Sequence, residues 1–108
     1  MTDRIYSFLG LATKAGKLVS GDDTCERMLK SGKAKLVIVA ADASQNTRKS
    51  FDDMCKYREI PIRYFGEKEL LGRYIGKEKR AVVALLDHGF AEKLKELIDN
   101  SNKEFGGE

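Results

Sequence analysis

The sequence predicts an α/β fold, an α-β-α sandwich in which one sheet carries helices on both faces, and three observations lead there. Residues 36–41 and 81–86 are short runs without a polar side chain. Runs of that length, rich in Val, Ile and Leu, read as strands buried on both faces. Between and around them, stretches with the 3.6-residue apolar period of a helix alternate with extended stretches. A chain of 108 residues makes one domain and closes one core without disulfide or metal staples.

The elements follow in order. Residues 3–15 space Ile5, Phe8, Leu9 and Ala12 as one helix face, and Gly16 closes the helix. Residues 17–20 are a small strand. Ser20, with Asp23 three residues on, reads as a capping-box start for a second helix. Cys25, Met28 and Leu29 form its apolar face, and Gly32 ends it. The first all-apolar strand follows at 36–41. A polar turn at 42–46 leads to a third helix, capped by Asn46 or Thr47, with Phe51, Met54 and Cys55 inward. Ile60-Pro61 stops it, because proline disfavours helical geometry in the preceding residue.

Residues 62–65 alternate as a strand, and 67–75 form a fourth helix with Leu70, Leu71, Tyr74 and Ile75 apolar. A basic loop at 76–80 enters the second apolar strand, 81–86. Asp87 caps a last helix that buries Phe90, Leu94, Leu97 and Ile98. Residues 1–100 are thus one domain, and 101–108 lose the period and are expected to fray. The two apolar strands should lie at the centre of the sheet.

Composition narrows the function. Lys and Arg number 20 against 17 acids, a net charge of +3, so any polyanion must be met by local clustering of cations. No run approaches the ~18 apolar residues of a membrane span, and the early acid in M-T-D-R-I-Y argues against a signal peptide. Cys25 and Cys55 fall on apolar helix faces and read as buried free thiols of a cytoplasmic protein. One histidine and no Cys-x-x-Cys leave no zinc pattern, and neither common nucleotide-binding glycine loop is present. No metal or cofactor is expected. His88 beside Asp87 is the one acid–base candidate, and adjacent residues at a helix start do not face each other. Asp42, at the end of an apolar strand, is better placed to cap or turn the following loop than to do chemistry.

Binding chemistry is better represented. Asp23, Arg27 and Lys30 share the outer face of the second helix, close to a helix N-terminus, and such termini attract phosphate. The plainer explanation is a solvated face on which Asp23 pairs with Arg27. Lys33 and Lys35 precede one apolar strand, and Lys77, Lys79 and Arg80 the other. If those strands are parallel, both basic loops lie at the same end of the sheet, where an RNA backbone can be held.

The stretch from Gly21 through G-K-A-K-L-V-I-V-A-A-D, then Pro61, L-L-G-R-Y-I-G and A-V-V-A-L-L-D, resembles the kink-turn RNA-binding ribosomal proteins of the L7Ae and L30e type. Their short stand-alone bacterial members are the nearest likeness. The resemblance implies a three-layer α-β-α sandwich with a small mixed sheet, and a structured RNA as partner: rRNA or another folded RNA, with the ribosome as a setting. In that family a glycine, an asparagine, a glutamate and a lysine at the start of the central helix contact guanines of sheared G·A pairs. The matching positions hold Gly21, Asp23, Thr24 and Arg27. The loop of Lys77, Glu78, Lys79, Arg80 and Ala81 matches the one that lies against the flipped-out nucleotide. Lys30, on the same helix face, completes the expected RNA surface.

Two positions depart from the pattern. Asp23 keeps an acceptor but loses the amide donor, and Thr24 is shorter than glutamate and cannot make a bidentate pair. Arg27 keeps the cation in a form suited to guanine O6 and N7. The expectation is a non-enzymatic, cytoplasmic RNA-binding protein. Its rival is a protein-interaction module that kept the fold and lost RNA recognition.

Overall fold

Residues 2–106 are described by a computed structural model. In order they form α1 (Thr2–Lys14), β1 (Leu18–Ser20), α2 (Asp22–Lys30), β2 (Leu36–Val39), α3 (Gln45–Arg58), β3 (Ile62–Tyr64), α4 (Lys68–Tyr74), β4 (Val82–Leu85) and α5 (His88–Gly106). The sheet order is β1-β4-β2-β3, so the two apolar strands are its centre, as their composition requires. Every residue of β2 and β4 is buried. Helix α1 packs on α4 and α5, and α2 packs on α3, giving one helix layer on each face. Ile5, Leu9, Leu94 and Ile98 fill the core on one side; Cys25, Leu29, Phe51 and Cys55 fill it on the other.

Strand direction decides a point that the sequence leaves conditional. β2 runs parallel to β3 but antiparallel to β4, with Leu36 opposite Leu85 and Val39 opposite Val82. The two basic loops therefore lie at opposite ends of the sheet. A strand buried on both faces has the same apolar run in either direction, so the local pattern could not decide this. β1 is also antiparallel to β4, pairing Ser20 with Val83. The upper end of the sheet is thus where β1 and β2 finish and β4 starts, and the lower end is the reverse.

The helix caps differ in detail. The N-cap of α2 is Gly21, which has no side chain to cap with, while Ser20 lies one position earlier as the last residue of β1, where its hydroxyl accepts from Arg80. Ser44, ahead of the expected Asn46 or Thr47, caps α3 by accepting from the Thr47 N–H at 3.2 Å. Asp42 accepts from the Lys68 N–H at 3.0 Å and so caps α4, a helix 26 residues away. Asp87 caps α5 as expected, accepting from the Phe90 N–H at 2.9 Å. Helix α5 runs to Gly106, into the segment expected to fray from residue 101, and Ser101 is buried against the domain. The segment before Gly106 has neither proline nor glycine to stop a helix already formed. Residues 107 and 108 of that expected tail lie outside the described residues.

Candidate nucleic-acid interface

Pairing of β1 with β4 assembles the site. It sets the end of β1 beside the start of β4, and the Gly21 N–H donates to the Val82 carbonyl at 3.0 Å. The beginning of α2 and the loop at 77–81, some 60 residues apart in sequence, therefore meet at the upper end of the sheet. Arg80 joins them: its Nε donates to the Ser20 hydroxyl at 3.0 Å, and its Nη1 donates to the Lys79 carbonyl at 3.2 Å. The end of β2 reaches the same place, since the Ala40 N–H donates to the Ala81 carbonyl at 2.8 Å.

Gly21 turns the chain out of β1 with φ +97°, a conformation L side chains rarely adopt. Without a capping side chain, the first N–H groups of α2 are left for solvent or a ligand, at the positive end of the helix dipole. Asp22 and Asp23 are exposed in that first turn. Their carboxylates suit the helix dipole and oppose a bound polyanion.

The loop is fixed by its backbone. The Lys77 N–H donates to the Gly72 carbonyl at 2.8 Å, and the Arg80 N–H donates to the Lys68 carbonyl at 3.0 Å. Gly72 makes this possible: a Cβ there would sit 1.9 Å from the Glu78 carbonyl oxygen. The sequence signal was present, because a glycine inside a helix costs about 1 kcal/mol against alanine and usually has a packing reason. Lys77, Glu78 and Lys79 expose their side chains, while Arg80 and Ala81 are half-buried.

Along α2, the expected site residues separate. Thr24 is half-buried and lines a hollow of about 300 Å³ with Ser20, Ile75, Lys77 and Arg80. Arg27 is exposed one turn on and, among the described residues, makes no ion pair, so the Asp23–Arg27 pair of the plainer explanation does not form. Lys30 lies toward the lower end of α2 and pairs with Glu26 at 2.8 Å. That hydrogen bond and charge hold the Glu26 carboxyl below its ordinary range. Gly21, Asp23, Thr24 and residues 77–81 are therefore brought together, Arg27 borders them, and Lys30 stands apart.

The apolar face of α2 anchors the site from behind. Cys25 is fully buried with its thiol 3.9 Å from the Val19 carbonyl, and burial pushes its pKa up to about 12. Burial does the same to Cys55, also to about 12. Both are free cysteines, as their positions on apolar faces implied. Among the described residues, no group of three His, Cys, Asp or Glu side chains is placed to hold a metal ion. Among the described residues no helix is long and apolar enough to cross a membrane.

A mixed four-stranded sheet between two helix layers, with an uncapped helix start beside a basic loop, defines a class of small α/β binding domains. Residues 3–95 match the ribosomal protein L7Ae/L30e/S12e/Gadd45 family, and the chain belongs to that family. It is 46% identical over 94 residues to the RNA-binding protein YlxQ of Bacillus subtilis (strain 168), covering 87% of this chain and 94% of that one. It is 32% identical over 97 residues to the large ribosomal subunit protein eL30 of Candida albicans, covering 88% and 92%. A Bacillus halodurans protein of unknown function has the same fold with a TM-score of 0.85 at 39% identity, covering 88% and 96%. The 15.5kD RNA binding protein of Giardia lamblia superposes with a TM-score of 0.77 at 19% identity, covering 92% and 88%, a likeness of fold.

Proposed function

We propose that this protein is a cytoplasmic, non-enzymatic RNA-binding protein of the ribosomal type, which holds a folded, kink-turn-like RNA at the upper end of its sheet. The observation that carries the reading is the Ser20–Arg80 hydrogen bond, which locks the uncapped start of α2 to the loop at 77–81. The free N–H groups of α2 and the exposed Lys77 and Lys79 meet phosphates. Arg27, uncommitted to any carboxylate among the described residues, presents its planar fork to a guanine edge. The hollow beside Thr24 and Ile75 receives an unpaired base, with Arg80 and Lys77 at its rim. Lys30, engaged with Glu26, contributes at most to the general field.

Asp23 and Thr24 set the specificity. A carboxylate at 23 accepts from a guanine but donates nothing, and the hydroxyl at 24 is too short to bridge two guanine donors. Phosphate contacts then supply most of the affinity. The test compares a kink-turn RNA with the same RNA whose G·A pairs are replaced, for the parent and for Asp23→Asn/Thr24→Glu, at one fixed salt concentration. The parent is expected to bind both with little preference. The double variant is expected to gain discrimination of about 1–3 kcal/mol per recovered base contact. Strong discrimination by the parent would show that Asp23 and Thr24 read the guanines after all. No binding to either RNA would leave the fold to a protein-interaction role.

A further inference from the structure

The groove between α1 and α4 opens next to this interface. It encloses about 490 Å³. Its floor is set at Gly10, where a Cβ would lie 2.9 Å from the Tyr74 carbonyl oxygen, so the two helices close tightly there. Thr13 and Ile75 line both this groove and the hollow beside Thr24, so the two are neighbours. Among the described residues the large apolar side chains left exposed are Leu11 (54%), Tyr57 and Tyr74 (41%), and two of these three line this one groove.

The charge is one-sided. Lys14 and Arg73 line the groove, Lys77 and Arg80 line the adjoining hollow, and no carboxylate lines either. Among the described residues neither Lys14 nor Arg73 forms an ion pair. The hollow between α1 and α5, of similar size, mixes Asp3 with Arg4 and Lys93 and shows no such bias. Tyr74 is also held in place. Its ring stacks on Tyr6 at 4.9 Å and 20°, and the Tyr6 hydroxyl accepts from the Glu67 N–H at 3.2 Å. An aromatic ring backed by a second ring and flanked by free cations suits a nucleobase with its phosphates, and suits it without regard to sequence.

We propose that this groove takes a single-stranded stretch of the same RNA, with one base stacked on Tyr74 and the adjoining phosphates held by Lys14 and Arg73. The inference rests on the RNA reading of the upper end and extends it to a second, sequence-tolerant subsite. The chemistry requires unpaired nucleotides, because a base within a duplex has no free face to offer.

The experiment measures affinity for two RNAs, one kink-turn RNA with its usual bulge and one with the bulge lengthened by three uridines. The parent should bind the longer RNA roughly 5- to 150-fold more tightly, the range that one base–aromatic stack supplies. Tyr74→Phe should keep that advantage, and Tyr74→Leu should lose it. Lys14→Glu/Arg73→Glu, at two exposed positions, should lose it too, and decides the matter should Tyr74→Leu loosen the Tyr6 stack and fail to fold. Equal binding of both RNAs by the parent, or an advantage that survives the charge reversals, would overturn the groove and leave the upper-end site standing. Binding of neither RNA would overturn both.

Discussion

At the upper end of the sheet, Arg80 is half-buried, bonded to Ser20, and set beside a helix start whose N–H groups have no capping side chain. At the lower end, Lys17, Lys33 and Lys35 project into solvent from two turns and, among the described residues, are tied only through their main chains. The Leu86 N–H donates to the Lys17 carbonyl at 2.8 Å, and the Lys35 N–H donates to the Leu85 carbonyl at 2.7 Å. Both ends are basic, and the lower one also holds cations, Lys30 on Glu26 and Arg58 on the Met54 carbonyl, but at the upper end Arg80 ties two segments together across the sheet beside an uncapped helix start. Exposed lysines supply a diffuse, salt-sensitive field, whereas a fixed guanidinium and aligned N–H groups supply geometry. Charge along the sequence therefore does not single out the proposed site; the antiparallel pairing of β1, β4 and β2 brings its parts together.

The most severe way to break this comparison is to break the pairing that creates two ends. Val39→Asp places an unpaired charge in a strand that is wholly buried, and should cost at least about 3 kcal/mol, enough to unfold a marginal domain. A cooperative melt near the parental temperature would contradict the central place of β2. Gly72→Ala acts on the upper end alone. Its Cβ cannot coexist with the Glu78 carbonyl, so the loop must lift from α4, at about 1–3 kcal/mol of stability. RNA affinity should fall with it, and an unchanged backbone around 77–80 by NMR would refute the packing argument.

Arg27→Ala sharpens the contrast within α2. Stability should stay within about 0.5 kcal/mol, as for other surface changes, while RNA affinity drops by about 1–3 kcal/mol. Lys30→Ala should do much less, because Lys30 is already paired with Glu26. Equal losses would erase the distinction between the two cations. A further effect, absent at neutral pH, concerns the thiols behind the site. Cys25 and Cys55 have folded pKa values near 12, raised from an ordinary 9. The folded chain keeps these protons longer than the unfolded one. Stability is therefore undiminished below pH 9 and declines as pH rises from 9 through 12. Neither thiol should react with a disulfide reagent at neutral pH until the protein is unfolded; fast labelling of the native protein would contradict their burial.

Much of the fold was legible because apolar runs and helical periods are local properties. Residues 36–41 and 81–86 announced the central strands, and Cys25 and Leu29 the buried face of α2. What could not be read was long-range. Ser20 looks like a cap, but it closes β1 one position before the N-cap Gly21, and its hydroxyl accepts from Arg80, 60 positions on. Asp42 looks like a turn former until α4 docks its Lys68 N–H against it. The direction of β4 relative to β2 has no local signature, so the sequence alone leaves open whether the two basic loops share an end of the sheet. The cluster of Gly21, Asp23, Thr24 and the 77–81 loop was legible only through its resemblance to a family.

The most direct measurement of the upper-end claim removes two lysines from each end in turn. Lys77→Ala/Lys79→Ala and Lys33→Ala/Lys35→Ala carry the same change of charge, and both pairs are exposed. Affinity for a kink-turn RNA is recorded across a salt series for the parent and both variants. Each lost phosphate contact should lower the slope of log K against log salt by about 1. The upper pair should lose about two units of slope along with its affinity, while the lower pair should keep the parental slope and affinity within about twofold, as expected of charges that only add to the field. An equal or greater loss from the lower pair would contradict the upper-end claim.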